Sequence, residues 1–461
     1  MVFLSSCEDF LYEMPSGSLP SDEAITSVDD LHNALNGVYG EFIDQYAHAG
    51  DFTVYGDMKG DDAYYPRNAN HSTPLARFDH NSTGVHPFEF WATFYTALGR
   101  VNDILEVCEN LELGSASQEE FDNYLGQLHA LRGFIHFEIA KVYAQLPTVA
   151  ADINAPHSGI PISDRKFSVD HKPVRSTLKE TWNFIIDELA KSVDLLHEAP
   201  NNGKINKAAA KGLLSRAYLY YSNYDKALET AHNLITEFSS LYSLYTIDEY
   251  TSVWSKTFTS ESLWEIGITD VDNAQRNSLG YYTNPDGYAE TGVRQNYVDY
   301  ISQYPEDVRS GLIVEKTNTE GTVTAMFTDK YPGQEGSAMP LYANNPKIIR
   351  LAEIYLIAAE AAVKGGQYSE ANSAEWYINE LRKNRIIDYQ ETQSVDLDAV
   401  LDERRRELSF EGHRFFDLIR NNISFNNEYA GDVSPDQFNV IMAIPQRETD
   451  ISPELVQNPG Y

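Results

Sequence analysis

Residues 403–420 read Glu-Arg-Arg-Arg-Glu-Leu-Ser-Phe-Glu-Gly-His-Arg-Phe-Phe-Asp-Leu-Ile-Arg. Ionisable residues of both signs surround a few apolar ones. The run breaks at Gly412 and restarts with Phe415 and Phe416. Asp402 lies four residues before Arg406 and Glu403 three before it, so on a helix both can pair with Arg406. Composition alone reads this as a helix end laced with salt bridges. Outward from it, residues 350–361 (RLAEIYLIAAEA), 128–147 (LHALRGFIHFEIAKVYAQLP) and 26–39 form further blocks. The chain closes on Ile444-Pro445 and then Gln457-Asn458-Pro459-Gly460-Tyr461.

These blocks resemble the signature segments of the SusD/RagB family, the surface nutrient-binding lipoproteins of Bacteroidetes, and they run from one end of the chain to the other. The resemblance implies a mostly α, SusD-like fold. In it, tetratricopeptide-like helical hairpins form a scaffold and irregular, loop-rich insertions carry function. It implies a lipid-anchor cysteine and tether over 1–25 and a single domain over 26–461. The scaffold is expected at about 26–50, 89–147, 176–240 and 346–420, with ligand-binding insertions at about 51–88 and 241–345.

The residues support parts of this directly. Leu31, Leu35, Val38, Tyr39 and Phe42 recur at helical spacing. Thr177 and Glu180 make a capping box. The apolar stripe after it runs through Leu178, Trp182, Ile185, Ile186, Leu189, Val193 and Leu196 and stops before Pro200. Two segments mirror each other: Leu214 and Ala217 precede Tyr224 and Ala227 at the same offset as Ala358 and Ala361 precede Tyr368 and Ala371. Each reads as helix, short turn at the tyrosine, helix, with small residues allowing close approach. Such hairpins bury their faces only by stacking. Residues 51–88 and 241–345 are rich in Gly, Asn, Asp, Pro and Tyr with weak periodicity, and read as short strands and loops.

The net charge is −34, from 69 acidic and 35 basic side chains. Such a surface repels phosphate backbones, so nucleic acid is not expected as a partner, and a neutral ligand is the simpler expectation. Of two cysteines, Cys108 sits on the apolar side of a helix and reads as a buried thiol. Cys7 follows Leu4-Ser5-Ser6, a short lipobox. In the resemblance it is the lipidated residue, and lipid would be the only tie to a membrane, because no run of about twenty apolar residues exists.

No GxSxG elbow, HExxH pair, phosphate loop or CxxC spacing occurs. The calcium-loop-like start at Asp270 has Ala274 at its fifth position and no glycine at its sixth. No cofactor or metal ligand set is expected, with a structural calcium the one ion left open. His129, Arg132 and His136 lie at helical spacing and read as helix-packing or exposed polar residues in preference to metal ligands.

Sugars are held by flat aromatic faces with amide, carboxylate and guanidinium groups for their hydroxyls. Asp62, Tyr64, Tyr65, Arg67 and Asn70 supply that mixture in the first insertion. Tyr281, Tyr282, Asn284 and Tyr288, followed by Arg294 and Asn296, supply it in the second. Trp91, on a helix whose Trp91, Tyr95 and Asn102 spacing resembles a family block, is a further candidate. The reading is a non-enzymatic oligosaccharide-binding protein on the outer membrane, serving a SusC-like TonB-dependent transporter, as the resemblance implies. The alternatives are a peptide or glycopeptide binder of the same family and a tetratricopeptide-type protein adaptor.

Overall fold

The computed structural model describes residues 24–168 and 170–461. Cys7 and nearly all of the expected tether lie outside the described residues. Helices dominate. They are α1 (Val28–Gly40), α2 (Asp51–Met58), α3 (Val85–Cys108), α4 (Gln118–Tyr143), α5 (Leu178–Leu195), α6 (Lys207–Tyr220) and α7 (Tyr224–Glu237), then α8 (Leu351–Val363), α9 (Ala374–Lys383), α10 (Leu397–Glu407) and α11 (Arg414–Arg420).

The scaffold is a stack in which α4 packs on α5, α5 on α6, α6 on α7, α7 on α8, and α8 on α9 and α10. Its closeness comes from small side chains. Ala209, Ala217, Ala227, Ala231, Ala358 and Ala361 are fully buried. A Cβ on Gly133 of α4 would lie 2.9 Å from Leu189 of α5. The Thr177 box caps α5: Glu180 N donates to Thr177 Oγ1 (3.1 Å) and Thr177 N donates to Glu180 Oε2 (2.8 Å). Trp182, Trp254 and Trp264 are core residues.

The two mirrored segments differ in detail. Helices α6 and α7 are joined by a short turn, but α9 starts only at Ala374, where the Ser373 hydroxyl accepts from Trp376 N. Tyr368 instead lies in the connection, with its hydroxyl donating to Asn233 on α7 (3.1 Å).

Four antiparallel two-stranded sheets complete the fold. They pair β1 (Ala63–Tyr64) with β3 (Gly292–Val293), β2 (Ser262–Glu265) with β6 (Lys347–Arg350), β4 (Ile313–Thr317) with β5 (Thr324–Thr328), and β7 (Phe425–Asn427) with β8 (Gly431–Val433). The expected first insertion is narrower than 51–88. Its start is α2, every residue of which is buried, and α3 begins at Val85. The reason is a backbone contact. A Cβ on Gly56 would lie 2.1 Å from Gly412 O, and Gly412 itself has φ +78°, open to glycine. Gly412 N donates to the Asp57 carboxylate at 3.0 Å.

Buried charges hold the 403–420 run. Glu407 accepts from Arg350 Nη1 (2.9 Å), Arg309 Nη1 (3.0 Å) and Arg385 Nε (2.9 Å). Glu403 meets Arg309, Arg382 and Arg406, each at 2.6 Å. Glu411 meets Lys330 and Arg350. Asp417 meets Arg404 (2.9 Å) and Arg420 (2.6 Å). Asp402, expected to pair with Arg406, is exposed, and its carbonyl accepts from Tyr300.

Removing one partner from a buried ion cluster strands the others. Glu407→Gln is therefore expected to lower unfolding free energy by about 3–5 kcal/mol. Glu229→Gln, which breaks only the exposed pair with Lys226, should change it by under about 0.5 kcal/mol. Urea midpoints check this, and equal effects would refute it. A second expectation concerns acid. His136 is fully buried, its Nδ1 donates to Arg132 O (2.7 Å), and its Nε2 accepts from Ser163 N (3.0 Å). Burial pushes its pKa down to about 4. Between about pH 6.5 and 4 the unfolded chain binds a proton that the folded one refuses, so stability falls as pH drops through that window. Below it, carboxylates such as Glu353 continue the loss: burial alone would raise Glu353, but Arg216 holds it at about 2. His136→Gln should flatten the slope of urea midpoint against pH between 6.5 and 4; an unchanged slope would remove His136 from the account.

Candidate functional site

The two insertions meet. Strand β1 pairs with β3, Ala63 opposite Val293 and Tyr64 opposite Gly292. Arg67 N donates to Ala289 O (3.1 Å). The buried Glu290 carboxylate gathers the 69–72 turn by accepting from the backbone N–H groups of Ala69, His71 and Ser72. A third segment, the β7–β8 hairpin, closes the site. Arg294 Nη1 donates to Asn426 O (2.7 Å), and Arg294 Nε sits 2.6 Å from the Glu428 carboxylate.

Two arginines of the 403–420 run anchor this surface. Arg414 donates twice to Asp61 (2.7 and 2.9 Å). Burial alone would raise Asp61, but the Arg414 guanidinium outweighs it and holds the carboxyl below its usual range. Arg405 pairs with Asp62 through Nε (3.0 Å) and Nη2 and lies over the Tyr297 and Tyr300 rings at 5.6 and 4.4 Å.

The exposed part is aromatic. Tyr65 stacks on Tyr429 with centroids 4.0 Å apart and planes 3° off parallel, and Arg77 Nη2 donates to Tyr65 Oη (2.9 Å). Tyr288 stacks on His71 at 3.9 Å, and Tyr281 meets Tyr288 edge-on at 4.8 Å and Tyr342 at 5.8 Å. All of these rings are half-buried, each therefore keeping area for a ligand. Burial raises the pKa of Tyr64, Tyr288 and Tyr429, so these phenols stay protonated donors.

Arg67 is exposed but partly committed, donating to Gly287 O and Tyr288 O. Asn70 is exposed with φ +67°. Asn284 caps its own turn by accepting from Asp286 N (2.9 Å). Asn296 Nδ2 donates to Asp61 O (3.0 Å).

Three expected site residues have no face to offer. Tyr282 is fully buried, with its hydroxyl on Asp51. It shares a helical turn with Tyr281, and only one of two adjacent rings points outward. Trp91 is 5% exposed, tilted against Tyr95 at 4.6 Å and edge-on to Tyr143 at 5.1 Å, a core position on α3. Asp62 is buried by its arginine partner. Conversely, His71, Arg77, Tyr342 and Tyr429 join the site without having been singled out. Tyr429 had a signal: it sits in Asn426-Asn427-Glu428-Tyr429-Ala430-Gly431, the same polar, glycine-bearing company as the chosen tyrosines.

Among the described residues no group of three or more His, Cys, Asp or Glu is placed to hold a metal ion. The Asp270 carboxylate is occupied by Ser337 Oγ and Ala338 N. No helix among the described residues is long and apolar enough to cross a membrane.

Residues 252–461 match the SusD family, and residues 9–219 match a family described as starch-binding and associating with the outer membrane. A SusD superfamily protein from Bacteroides vulgatus superposes with a TM-score of 0.88 at 32% identity, over 95% of this chain and 100% of that one. A SusD-like protein of Bacteroides ovatus is 23% identical over 91% of this chain and 80% of its own length. The starch-binding protein SusD of Bacteroides thetaiotaomicron is 33% identical over 38% of this chain and 34% of its own. With the buried 403–420 cluster and the helical stack already described, these matches place the chain in the SusD/RagB family.

Proposed function

We propose that this chain binds an oligosaccharide, without cleaving it, on the tyrosine-bearing surface where residues 61–77, 281–296 and 426–432 meet. The observation that carries the reading is the set of half-buried rings beside Asn70, Arg67 and Asn284: Tyr65 stacked on Tyr429, Tyr288 stacked on His71, and Tyr281 edge-on to Tyr288. Each ring is braced by a neighbour, so stacking a pyranose on it orders little further. Two comparisons favour a glycan over a peptide: SusD is named for starch binding, and so is the family matched by residues 9–219. The same family description supports a place at the outer membrane, where the protein delivers its cargo to a SusC-like TonB-dependent channel. Cys7 is the proposed lipid-anchored residue.

Affinity-gel retardation or calorimetry with a panel of neutral polysaccharides and oligosaccharides is expected to reveal binding, with the ligand recovered intact. Tyr65→Ala and Tyr288→Ala should each weaken it about tenfold by removing an aromatic face. Tyr282→Phe, which alters only a buried hydroxyl, should leave affinity unchanged. Binding only to peptides, or release of reducing ends by the pure protein, would overturn the proposal. Co-purification of a TonB-dependent channel from native membranes, lost in a Cys7→Ala variant that no longer carries lipid, tests the partner and the anchor together.

A further inference from the structure

The described part of the loop between Pro161 and Ser176 leads from α4 towards α5, and its 163–165 stretch is fixed by side chains of two helices. Asn102 on α3 donates to Ser163 O and Arg165 O (both 3.1 Å), and its Oδ1 accepts from Arg132 on α4 (3.1 Å). Arg132 also reaches Asp164 O (2.8 Å) while ion-paired to Glu188 (2.7 Å). Between this loop and the outer face of α5 lies a cleft of about 850 Å³, within the range of small-ligand sites. Tyr95, Phe167 and Phe184 give it aromatic walls. Asn183 and Asp187 of α5 line it and are exposed. Neither side chain makes a hydrogen bond or ion pair among the described residues.

Arg175 also lines the cleft, and it is unlike the other buried arginines. Arg132, Arg216, Arg309, Arg350, Arg385, Arg404, Arg406 and Arg420 each have a carboxylate partner. Arg175 is 5% exposed, and among the described residues no carboxylate lies within 4.0 Å of it. Its Nε donates to Gly159 O (2.7 Å) and its Nη1 to Val456 O (3.1 Å), while Nη2 has no partner among the described residues. A buried cation without a counter-charge is unfavourable, and burial pushes this guanidinium down to about 10. In a chain with about twice as many acids as bases, none of those acids is paired with Arg175 among the described residues. The other charged groups of the cleft are Asp164, Arg165, His171, Glu180 and Asp187; of these, Glu180 is taken up by the Thr177 cap.

We infer that this cleft is a second ligand site, separate from the tyrosine surface, and that it takes a ring bearing a carboxylate: a uronic-acid sugar. The carboxylate meets Arg175 Nη2, the ring lies against Phe184 and Phe167, and Asn183 serves its hydroxyls. The inference does not depend on what the tyrosine surface binds.

The test titrates the whole protein with methyl glucuronide, methyl glucoside and sulfate, and maps the bound state by hydrogen exchange. The glucuronide is expected to bind about tenfold or more tighter than the glucoside, as a charge-assisted hydrogen bond requires. Its affinity should fall as salt rises, and protection should appear over residues 161–187. Arg175→Gln should abolish the preference. Because Arg175 also clamps Gly159 and Val456, a second variant avoids the fold: the exposed Asp187→Asn removes a like charge and should tighten the glucuronide about two- to threefold, leaving the glucoside alone. Tyr65→Ala should leave glucuronide binding intact. The inference is overturned if the two glycosides bind alike, if sulfate binds as tightly as the glucuronide, if Asp187→Asn changes nothing, or if protection appears only over 61–77 and 281–296.

Discussion

Everything in this molecule hangs on a cluster of charges that have no water to fall back on. Glu407 stands among Arg309, Arg350 and Arg385, and the same arginines reach Asp307, Glu403, Glu261 and Glu411. These residues come from segments far apart in the chain. In a dry interior none is tolerable without the others, so the cluster acts as a registration device: the loop around 261, the turn at 307–309, β6 and α10 must arrive together. Arg405 and Arg414, from the outer side of the same run, extend that registration to Asp61 and Asp62. The frame and the tyrosine surface are thus two ends of one electrostatic construction.

This explains what could be read in advance. A run whose charges are nearly all paired with buried partners tolerates few substitutions, so residues 403–420 carry a recognisable string and the fold is legible from it. The helical stack was legible for a different reason, since apolar spacing and the Thr177 box are local signals. Helix α2 was hidden because its cause is not local. Asp51, Gly56 and Asp57 look like loop residues, but Gly56 and Asp57 lie against the Gly412 backbone, 355 residues from Asp57 in sequence, and Asp51 is enclosed by Tyr282 and His86. Side-chain direction was hidden in the same way: Tyr281 and Tyr282 are indistinguishable as letters, and tertiary contact alone decides which ring faces out.

The chemistry of the tyrosine surface was legible as composition and its membership was not. Polar, glycine-bearing segments with tyrosines mark all three contributing strands of chain, yet only the pairing of β1 with β3 and the Arg294 contacts to the β7–β8 hairpin show that they converge. Arg175 gave no signal at all. Its distinction is the absence of a carboxylate partner among the described residues, a property of three dimensions.

Rigidity is what these two places share. The rings of Tyr65 and Tyr288 are held by Tyr429 and His71, and the loop over the cleft is held by Asn102, Arg132 and His136. Binding weak, polar, heavily hydrated ligands leaves little free energy to spend on ordering the protein. A strongly acidic chain adds a second constraint, because its own field repels anions at long range. A neutral glycan escapes that repulsion and suits an open surface of tyrosines. An acidic sugar must overcome it, and the proposal assigns that task to the Arg175 guanidinium, which lacks a carboxylate partner and sits beside an aromatic wall. The proposed division between an open tyrosine face and a cleft holding one guanidinium without a carboxylate partner follows from the charge of the chain as much as from its fold.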